Sequence, residues 1–142
     1  MAEERSNKNS PIKNGAAKRL KILLLEDDPY FFELYANRLR GGGFNVLTEA
    51  DEDGGMEIAI KEKPDVIVLD ISLPNDDDFS FIVNLKERPE ISNIPVIILT
   101  DLNDNYNKKR GLSLGAADYL IRDEIDFSEI IESIKKAGKI KK

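Results

Sequence analysis

The chain lacks cysteine, histidine and tryptophan altogether, and the first two absences remove several kinds of chemistry. Without cysteine there is no disulfide, no thiolate metal site and no cysteine nucleophile. Without histidine there is no imidazole general base and no Ser-His triad, and most zinc sites are excluded as well. No apolar run approaches the roughly 18 residues that would cross a bilayer, and no apolar segment near the N-terminus marks secretion. The sequence therefore predicts a cytoplasmic protein without a membrane span.

Charge is distributed unevenly along the 142 residues. The net charge is −6, but residues 1–21 carry +4 and residues 133–142 carry +5, which leaves −15 on residues 22–132. So acidic a body argues against wrapping nucleic acid with the fold itself, because phosphate backbones bind basic surfaces. We predict a flexible polar leader over residues 1–18, one folded domain over residues 19–137 and a basic C-terminal tail over residues 138–142. The basic ends are interpreted as solvated tails, with attraction to an acidic partner as the alternative.

Short β-branched and aliphatic runs alternate with segments of helical pattern along this body. Strands are predicted over residues 22–25, 44–48, 66–69, 96–99 and 117–121. The helices that follow them are predicted from Asp28-Pro29 to Gly41, over 55–63, around Phe79, Ile82 and Leu85, over 103–114, and from Phe127 through Ile134. Five strands that alternate with five helices are typical of a doubly wound parallel α/β sheet with right-handed crossovers.

Charged and hydroxyl residues follow four of the predicted strands. Glu26 and Asp27 follow the first strand, Asp70 the third, Thr100 the fourth and Arg122 the fifth. Because the carboxyl ends of parallel strands open on one edge of a sheet, we expect these side chains to meet in one crevice. Neighbouring carboxylates suit Mg²⁺, and a hydroxyl with a guanidinium binds the oxygens of a phosphoryl group. The set predicts the chemistry of an aspartyl phosphate. Taken singly, these residues are caps, a strand end and a surface charge.

Four stretches carry a resemblance to a known family, namely KILLLEDDP, PDVIVLDISLP, IPVIILTD and LGAADYLIR. Asp27 lies 43 residues before Asp70, Asp70 lies 30 before Thr100, and Thr100 lies 22 before Arg122. With these stretches and spacings, residues 20–137 resemble the receiver domain of two-component response regulators. The resemblance implies a flavodoxin-like (βα)5 fold whose five-stranded parallel sheet has the strand order 2-1-3-4-5.

The resemblance also implies which residues form the phosphorylation site. Asp70 would accept a phosphoryl group from the phosphohistidine of a sensor histidine kinase or phosphotransfer protein. Asp27, Asp70 and the backbone carbonyl of Ser72 would ligate Mg²⁺, and Glu26 would act mainly through a bound water. Such a domain is a signalling phosphoacceptor and not an enzyme, although it assists its own phosphorylation and dephosphorylation.

Two more positions match the family's switch, Thr100 and Tyr119, and Arg122 stands at the position of the family's cation. Thr100 would hydrogen-bond a phosphoryl oxygen, and Arg122 would place its cation beside the acceptor. Tyr119 matches the switch aromatic, whose inward turn would reshape the face made by the fourth helix, the fifth strand and the fifth helix. A half-buried packing residue is the alternative interpretation of Tyr119. That face is the expected contact for a downstream protein, and homodimer formation through it stays open.

The predicted output is protein contact alone, because too few residues follow Lys136 for a DNA-binding domain. Two other classes with related folds fit less well. A phosphatase or phosphotransferase of the haloacid-dehalogenase type would need a second Asp where this chain has Ser72. A flavodoxin-like cofactor binder would need a phosphate loop where Glu26, Asp27 and Asp28 would repel FMN.

Four positions depart from the family pattern. Arg122 stands where the family has Lys, and Asp123 where Pro is usual. Asp101 replaces a small residue, and Asp78 stands where Gly is common. A planar guanidinium is not equivalent to an ammonium, and the added carboxylates make the pocket unusually acidic, which would slow phosphoryl entry or raise the demand for Mg²⁺. The departures at Arg122, Asp101 and Asp123 favour the alternative of a degenerate receiver, which is not phosphorylated and acts only as a protein-binding module.

Overall fold

The computed structural model describes residues 19–71 and 79–140. Within them, five parallel strands form one sheet in the order β2-β1-β3-β4-β5, which confirms the predicted sheet and its strand order. The elements in chain order are β1 (Lys21–Leu25), α1 (Pro29–Gly41), β2 (Asn45–Glu49), α2 (Glu52–Glu62), β3 (Val66–Ile71), α3 (Ser80–Lys86), β4 (Val96–Thr100), α4 (Asn105–Ser113), β5 (Asp118–Ile121), a 3-10 turn (Arg122–Glu124) and α5 (Phe127–Ile140). In the described part of the chain, no helix has both the length and the apolar character needed to cross a bilayer.

Alternate residues of each strand build two separate cores, one on each face of the sheet. Ile22 and Val68 pack on the face that α1 and α5 cover. Leu23 and Ile67 pack on the opposite face, against α2 and α3. Both sets are almost fully buried, as expected for central strands of a parallel sheet that helices cover on both sides. The face on which a side chain lies is therefore fixed by whether its position along the strand is odd or even.

Side-chain caps set the beginnings of three helices. Asp28 accepts hydrogen bonds from the backbone N–H groups of Tyr30 and Phe31, and Pro29 occupies the first helical position of α1, as predicted. Asp51 caps α2 in the same way, so this helix begins at Glu52, three residues before the predicted start. Asp104 accepts from the backbone N–H of Asn107 at the start of α4.

Among the elements that continue beyond their predicted ends are β3 and α5. The sequence predicts that β3 ends before Asp70, whereas Asp70 is itself a strand residue and pairs with Leu99 of β4. The strand thus continues two residues beyond its predicted end at Leu69, because the backbone of a charged residue can pair within a sheet. Helix α5 continues to Ile140, three residues into the segment predicted as a basic tail.

Gly111 brings the backbone of α4 close to side chains of the sheet. A Cβ atom on Gly111 would lie 2.8 Å from Ile98 Cδ1 and 3.1 Å from Tyr119 Cδ2. We expect Gly111→Ala to lower the free energy of unfolding by about 1–3 kcal/mol, because the overpacking outweighs the better helix propensity of Ala. Gly41→Ala is the matched control, since no atom lies within 4 Å of its added Cβ. Urea denaturation should separate the two variants; equal midpoints would contradict the close packing of α4.

Candidate functional site

Three of the predicted site residues meet at one edge of the sheet because of strand alternation. Glu26 follows β1 two positions after Leu24, and Asp70 lies two positions after Val68. Leu24 and Val68 both belong to the core beneath α1 and α5, so the two acidic side chains point to that same face. Arg122 follows β5 and reaches the same place from the far side of β4.

Arg122 and Asp70 form a two-pronged ion pair. Arg122 Nη1 donates to Asp70 Oδ2 at 2.8 Å, and Nη2 donates to Oδ1 at 2.6 Å. The Asp70 side chain is 1% exposed and that of Arg122 is 8% exposed, so the pair is nearly free of solvent. Both carboxylate oxygens of the predicted phosphoacceptor are thus engaged by one guanidinium, in the fork geometry that Lys cannot make.

The guanidinium of Arg122 also contacts Asp101, Glu26 and the ring of Phe31. Its Nε donates to Asp101 Oδ1 at 3.1 Å, and its Nη1 lies 3.9 Å from Glu26 Oε1. Its central carbon lies 4.1 Å from the centre of the Phe31 ring. Burial alone would lower the pKa of Arg122, but the hydrogen bonds and charge of Asp70 outweigh it and raise that pKa further above its ordinary value. Arg122 is therefore a permanent cation that lies within 4 Å of three carboxyl groups.

Glu26 is the least satisfied polar group of the site. It is 2% exposed, and its Oε2 accepts the backbone N–H of Asp28 at 3.1 Å. Its Oε1 is buried and has no hydrogen-bond partner among the described residues. Burial raises the pKa of Glu26 from 4.5 to about 9, and the facing carboxyl of Asp70 adds to the rise. The structure therefore favours a protonated Glu26 at neutral pH.

The other predicted metal ligands are placed differently. Asp27 follows the buried Glu26 and is exposed. Ser72 and Asp78 lie outside the described residues. Over residues 19–71 and 79–140, no three acidic side chains stand close enough together to hold a metal ion. The guanidinium of Arg122 lies 3.9 Å from Glu26 Oε1 and 2.6 Å from Asp70 Oδ1, so a cation beside these two carboxyl groups is already supplied by the protein.

Thr100 and Tyr119 lie on the opposite face of the sheet from the ion pair. Thr100 is fully buried, and its hydroxyl accepts the backbone N–H of Leu102 at 3.1 Å. Tyr119 is 4% exposed, and its hydroxyl donates to the carbonyl of Leu102 at 3.0 Å. Tyr119 is therefore fully packed inside the protein, and both residues hold the same loop after β4. Burial, with the charge of Asp104, raises the pKa of Tyr119 to about 12.

Two features of the site go beyond what the sequence predicted. Asp101 was expected to add repulsion, but it accepts a hydrogen bond from Arg122 and shares its charge. The ring of Phe31, a residue of α1, covers the guanidinium. The pairing of Arg122 with Asp101 had a visible signal, since both residues depart from the family pattern and carry opposite charges. Nothing in the sequence indicated that Phe31 is within reach of Arg122.

The fold and the site define a class of protein. The response regulator receiver domain family matches residues 22–135. The chain therefore belongs to the receiver domains of two-component response regulators, which are signalling domains.

Three relatives illustrate the match. The gliding motility regulatory protein of Myxococcus xanthus is 32% identical over 136 residues, which are 96% of this chain and 18% of that protein. The DNA-binding dual master transcriptional regulator RpaA of Synechocystis is 32% identical over 115 residues, which are 81% of this chain and 47% of RpaA. The receiver domain of the Francisella response regulator 1452 superposes with a TM-score of 0.78 at 27% identity, covering 87% of this chain and all of that domain. The chain thus spans less than half the length of either curated relative.

The buried carboxyl of Glu26 predicts an unusual dependence of stability on pH. The pKa of Glu26 is higher in the folded protein than in the unfolded chain, so the folded state keeps a proton that the unfolded state loses. Stability that is present below the unfolded pKa is then lost as pH rises toward the folded pKa. In metal-free protein, we expect Glu26→Gln to raise the free energy of unfolding by on the order of 1–3 kcal/mol near pH 8 and by much less near pH 5.

The measurement is urea denaturation in the presence of a chelator at the two pH values. Glu57→Gln makes the same change on an exposed position of α2 and should shift the midpoint little at either pH. A destabilised Glu26→Gln, or a gain that is independent of pH, would show that Glu26 is ionised in the folded protein.

Proposed function

We propose that this chain is a phosphoacceptor receiver in which Asp70 takes a phosphoryl group from the phosphohistidine of a histidine kinase or phosphotransfer protein. One observation carries this proposal. The Asp70 carboxylate lies at the carboxyl end of a central strand, beside a second carboxyl and against a permanent cation. A desolvated carboxylate beside a fixed positive charge is suited to accept a negatively charged group.

The phosphoryl transfer needs few groups from the protein. An oxygen of Asp70 would attack phosphorus, the bond between phosphorus and the imidazole nitrogen would break, and its electron pair would return to the imidazole of the donor. The product is an acyl phosphate on Asp70. The charge of Arg122 would lie beside the new phosphoryl oxygens, and the hydroxyl of Thr100 would hydrogen-bond one of them. Any self-phosphorylation or self-dephosphorylation by this domain would use the same groups.

The acidic groups around Asp70 suit Mg²⁺, which receiver domains bind in the active site. Hard carboxylate oxygens are its preferred ligands, and the buried Oε1 of Glu26 lacks a hydrogen-bond partner in the described part of the chain. Asp27, Asp70 and the carbonyl of Ser72 would hold the ion, with Glu26 mainly acting through water. Bound there, Mg²⁺ would supply positive charge to the transferring phosphoryl group.

The expected signal is a change of protein contacts. Thr100 and Tyr119 both hydrogen-bond Leu102, so a displacement of Thr100 toward a phosphoryl group would pull on the loop between β4 and α4. The face formed by α4, β5 and α5 is the proposed contact for a downstream protein. RpaA is itself a DNA-binding regulator, so the absence of a DNA-binding domain stays a prediction, as does a cytoplasmic location.

A second candidate function is a receiver that binds proteins without being phosphorylated. It is favoured by the ion pair itself, because Arg122 engages both oxygens of Asp70. A phosphoryl group can reach this carboxylate only after at least one of these two hydrogen bonds is broken. The two candidates differ in whether that opening occurs.

Acetyl phosphate distinguishes these candidates. We expect incubation with acetyl phosphate and Mg²⁺ to add the mass of one phosphoryl group, measured by intact-protein mass spectrometry. The adduct should be absent in Asp70→Asn and when Mg²⁺ is chelated. Asp65→Asn is the matched control, since Asp65 precedes the same strand at its opposite end and accepts the backbone N–H of Lys21, which Asn also does.

An adduct that survives in Asp70→Asn would place the acceptor elsewhere. If no adduct forms, beryllofluoride provides a second probe that needs no transfer step. Binding of neither probe would contradict the phosphoacceptor function and leave the protein-binding candidate.

A further inference from the structure

Arg122 lies at one end of a row of three aromatic rings, which have no part in the proposed phosphoryl transfer. Its guanidinium carbon lies 4.1 Å from the centre of the Phe31 ring and 5.7 Å from that of Tyr35. The rings of Phe31 and Tyr35 stack with centroids 5.8 Å apart and planes 17° apart. Tyr35 stacks in turn on Phe127 at 6.4 Å, and Arg38 covers Phe127 at 5.4 Å. The row begins at the predicted phosphoacceptor and ends where α1 meets α5.

Phe31 lies in the capped first turn of α1. Asp28 caps the first turn of α1, and its carboxylate accepts the backbone N–H of Phe31 itself at 3.3 Å. Pro29 fixes the backbone at the start of the same turn. Tyr30 closes on the Phe31 ring edge-on at 5.1 Å. The ring is therefore attached to a capped helical turn and has the rings of Tyr30 and Tyr35 as neighbours.

We propose that Phe31 is a positioning residue that holds the Arg122 guanidinium on the Asp70 carboxylate, so that Arg122 and a divalent cation compete for that carboxylate. Three contacts define the closed position, namely the fork on Asp70, the Nε hydrogen bond to Asp101 and the face of the Phe31 ring. A cation–π contact with a desolvated guanidinium is attractive in its own right. Loss of the ring should therefore release Arg122 and make Asp70 easier for Mg²⁺ to reach.

The inference rests on the proposed function in one respect, because it treats Asp70 as the group that the divalent cation must reach. The first measurement avoids this dependence by using metal-free protein. In ¹⁵N NMR spectra, the Nε–H of Arg122 should be shifted by the Phe31 ring current and protected from exchange with water. We expect Phe31→Leu to remove the shift and to speed the exchange by about threefold to tenfold, whereas Phe31→Tyr keeps a ring and should keep both properties.

Phe32→Leu is the matched control. It makes the same substitution at the next residue of α1, where the ring is half-buried and, over the described residues, stacks on no cation and on no other ring. Its Arg122 signal should match that of the unchanged protein. If Phe31→Leu and Phe32→Leu leave the Arg122 signal equally protected, Phe31 does not position Arg122 and the inference is wrong.

The second measurement is an Mg²⁺ titration followed by backbone amide shifts. We expect Phe31→Leu to lower the Mg²⁺ dissociation constant by about threefold to tenfold. In an Arg122→Gln background the same substitution should change it by less than about twofold, because a residue that acts only through Arg122 has no effect once Arg122 is gone. Arg122→Lys, which keeps the charge but cannot make the fork, replaces Arg122→Gln if that variant does not fold.

The possible results separate the two ideas. An equal effect of Phe31→Leu with and without Arg122 would overturn the positioning role while leaving the phosphoacceptor function intact. If no variant binds Mg²⁺, the metal-dependent function fails, and the exchange of the Arg122 Nε–H alone decides whether Phe31 holds Arg122.

Discussion

The bidentate ion pair between Arg122 and Asp70 is the interaction on which the rest of the site depends. Three carboxyl groups share one guanidinium, and two of them are almost fully removed from water. A buried ion pair adds little net stability over a well-packed apolar pair, but the loss of one partner leaves a buried charge without compensation. The pair therefore adds little stability, but any ligand of Asp70 must compete with Arg122 for its carboxylate oxygens. Whatever displaces Arg122 has to bring positive charge of its own.

Strand alternation then divides the site between the two faces of the sheet. Asp101 contacts Arg122 on the face covered by α1 and α5, and its neighbour Thr100 hydrogen-bonds Leu102 on the face of Tyr119. Asp101 is thus hydrogen-bonded to the ion pair, and Thr100, the last residue of β4, is linked through Leu102 to the buried Tyr119. Displacement of Arg122 would break its hydrogen bond to Asp101, and displacement of Thr100 would break its hydrogen bond to Leu102. Two consecutive residues, Thr100 and Asp101, therefore lie between the ion pair at Asp70 and the buried Tyr119.

The sequence predicted the fold well because the relevant signals are local. Apolar runs identify the strands of the sheet, and Asp28-Pro29 identifies the start of α1. The charged residues that follow the strands predict that Glu26, Asp70 and Arg122 meet at one edge of the sheet. The start of α2 was missed because Asp51 caps it before any apolar residue appears. The fork on Asp70 and the ring of Phe31 were missed for another reason. Both depend on where a long side chain turns after its strand has ended, and that is set by packing between elements distant in the chain.

The departures from the family pattern are best understood together. A guanidinium has five donors in a plane, and here Nη1 and Nη2 engage Asp70 while Nε engages Asp101. A compact ammonium could not serve both carboxylates in this geometry, and a small residue at position 101 would leave Nε without this acceptor. The plane of the guanidinium also presents a flat face, which the ring of Phe31 covers. Arg122, Asp101 and Phe31 therefore form one unit. Arg at the position of the family's Lys keeps the positive charge and adds a planar group. The edge of that group binds Asp70 and Asp101, and its face contacts the ring of Phe31.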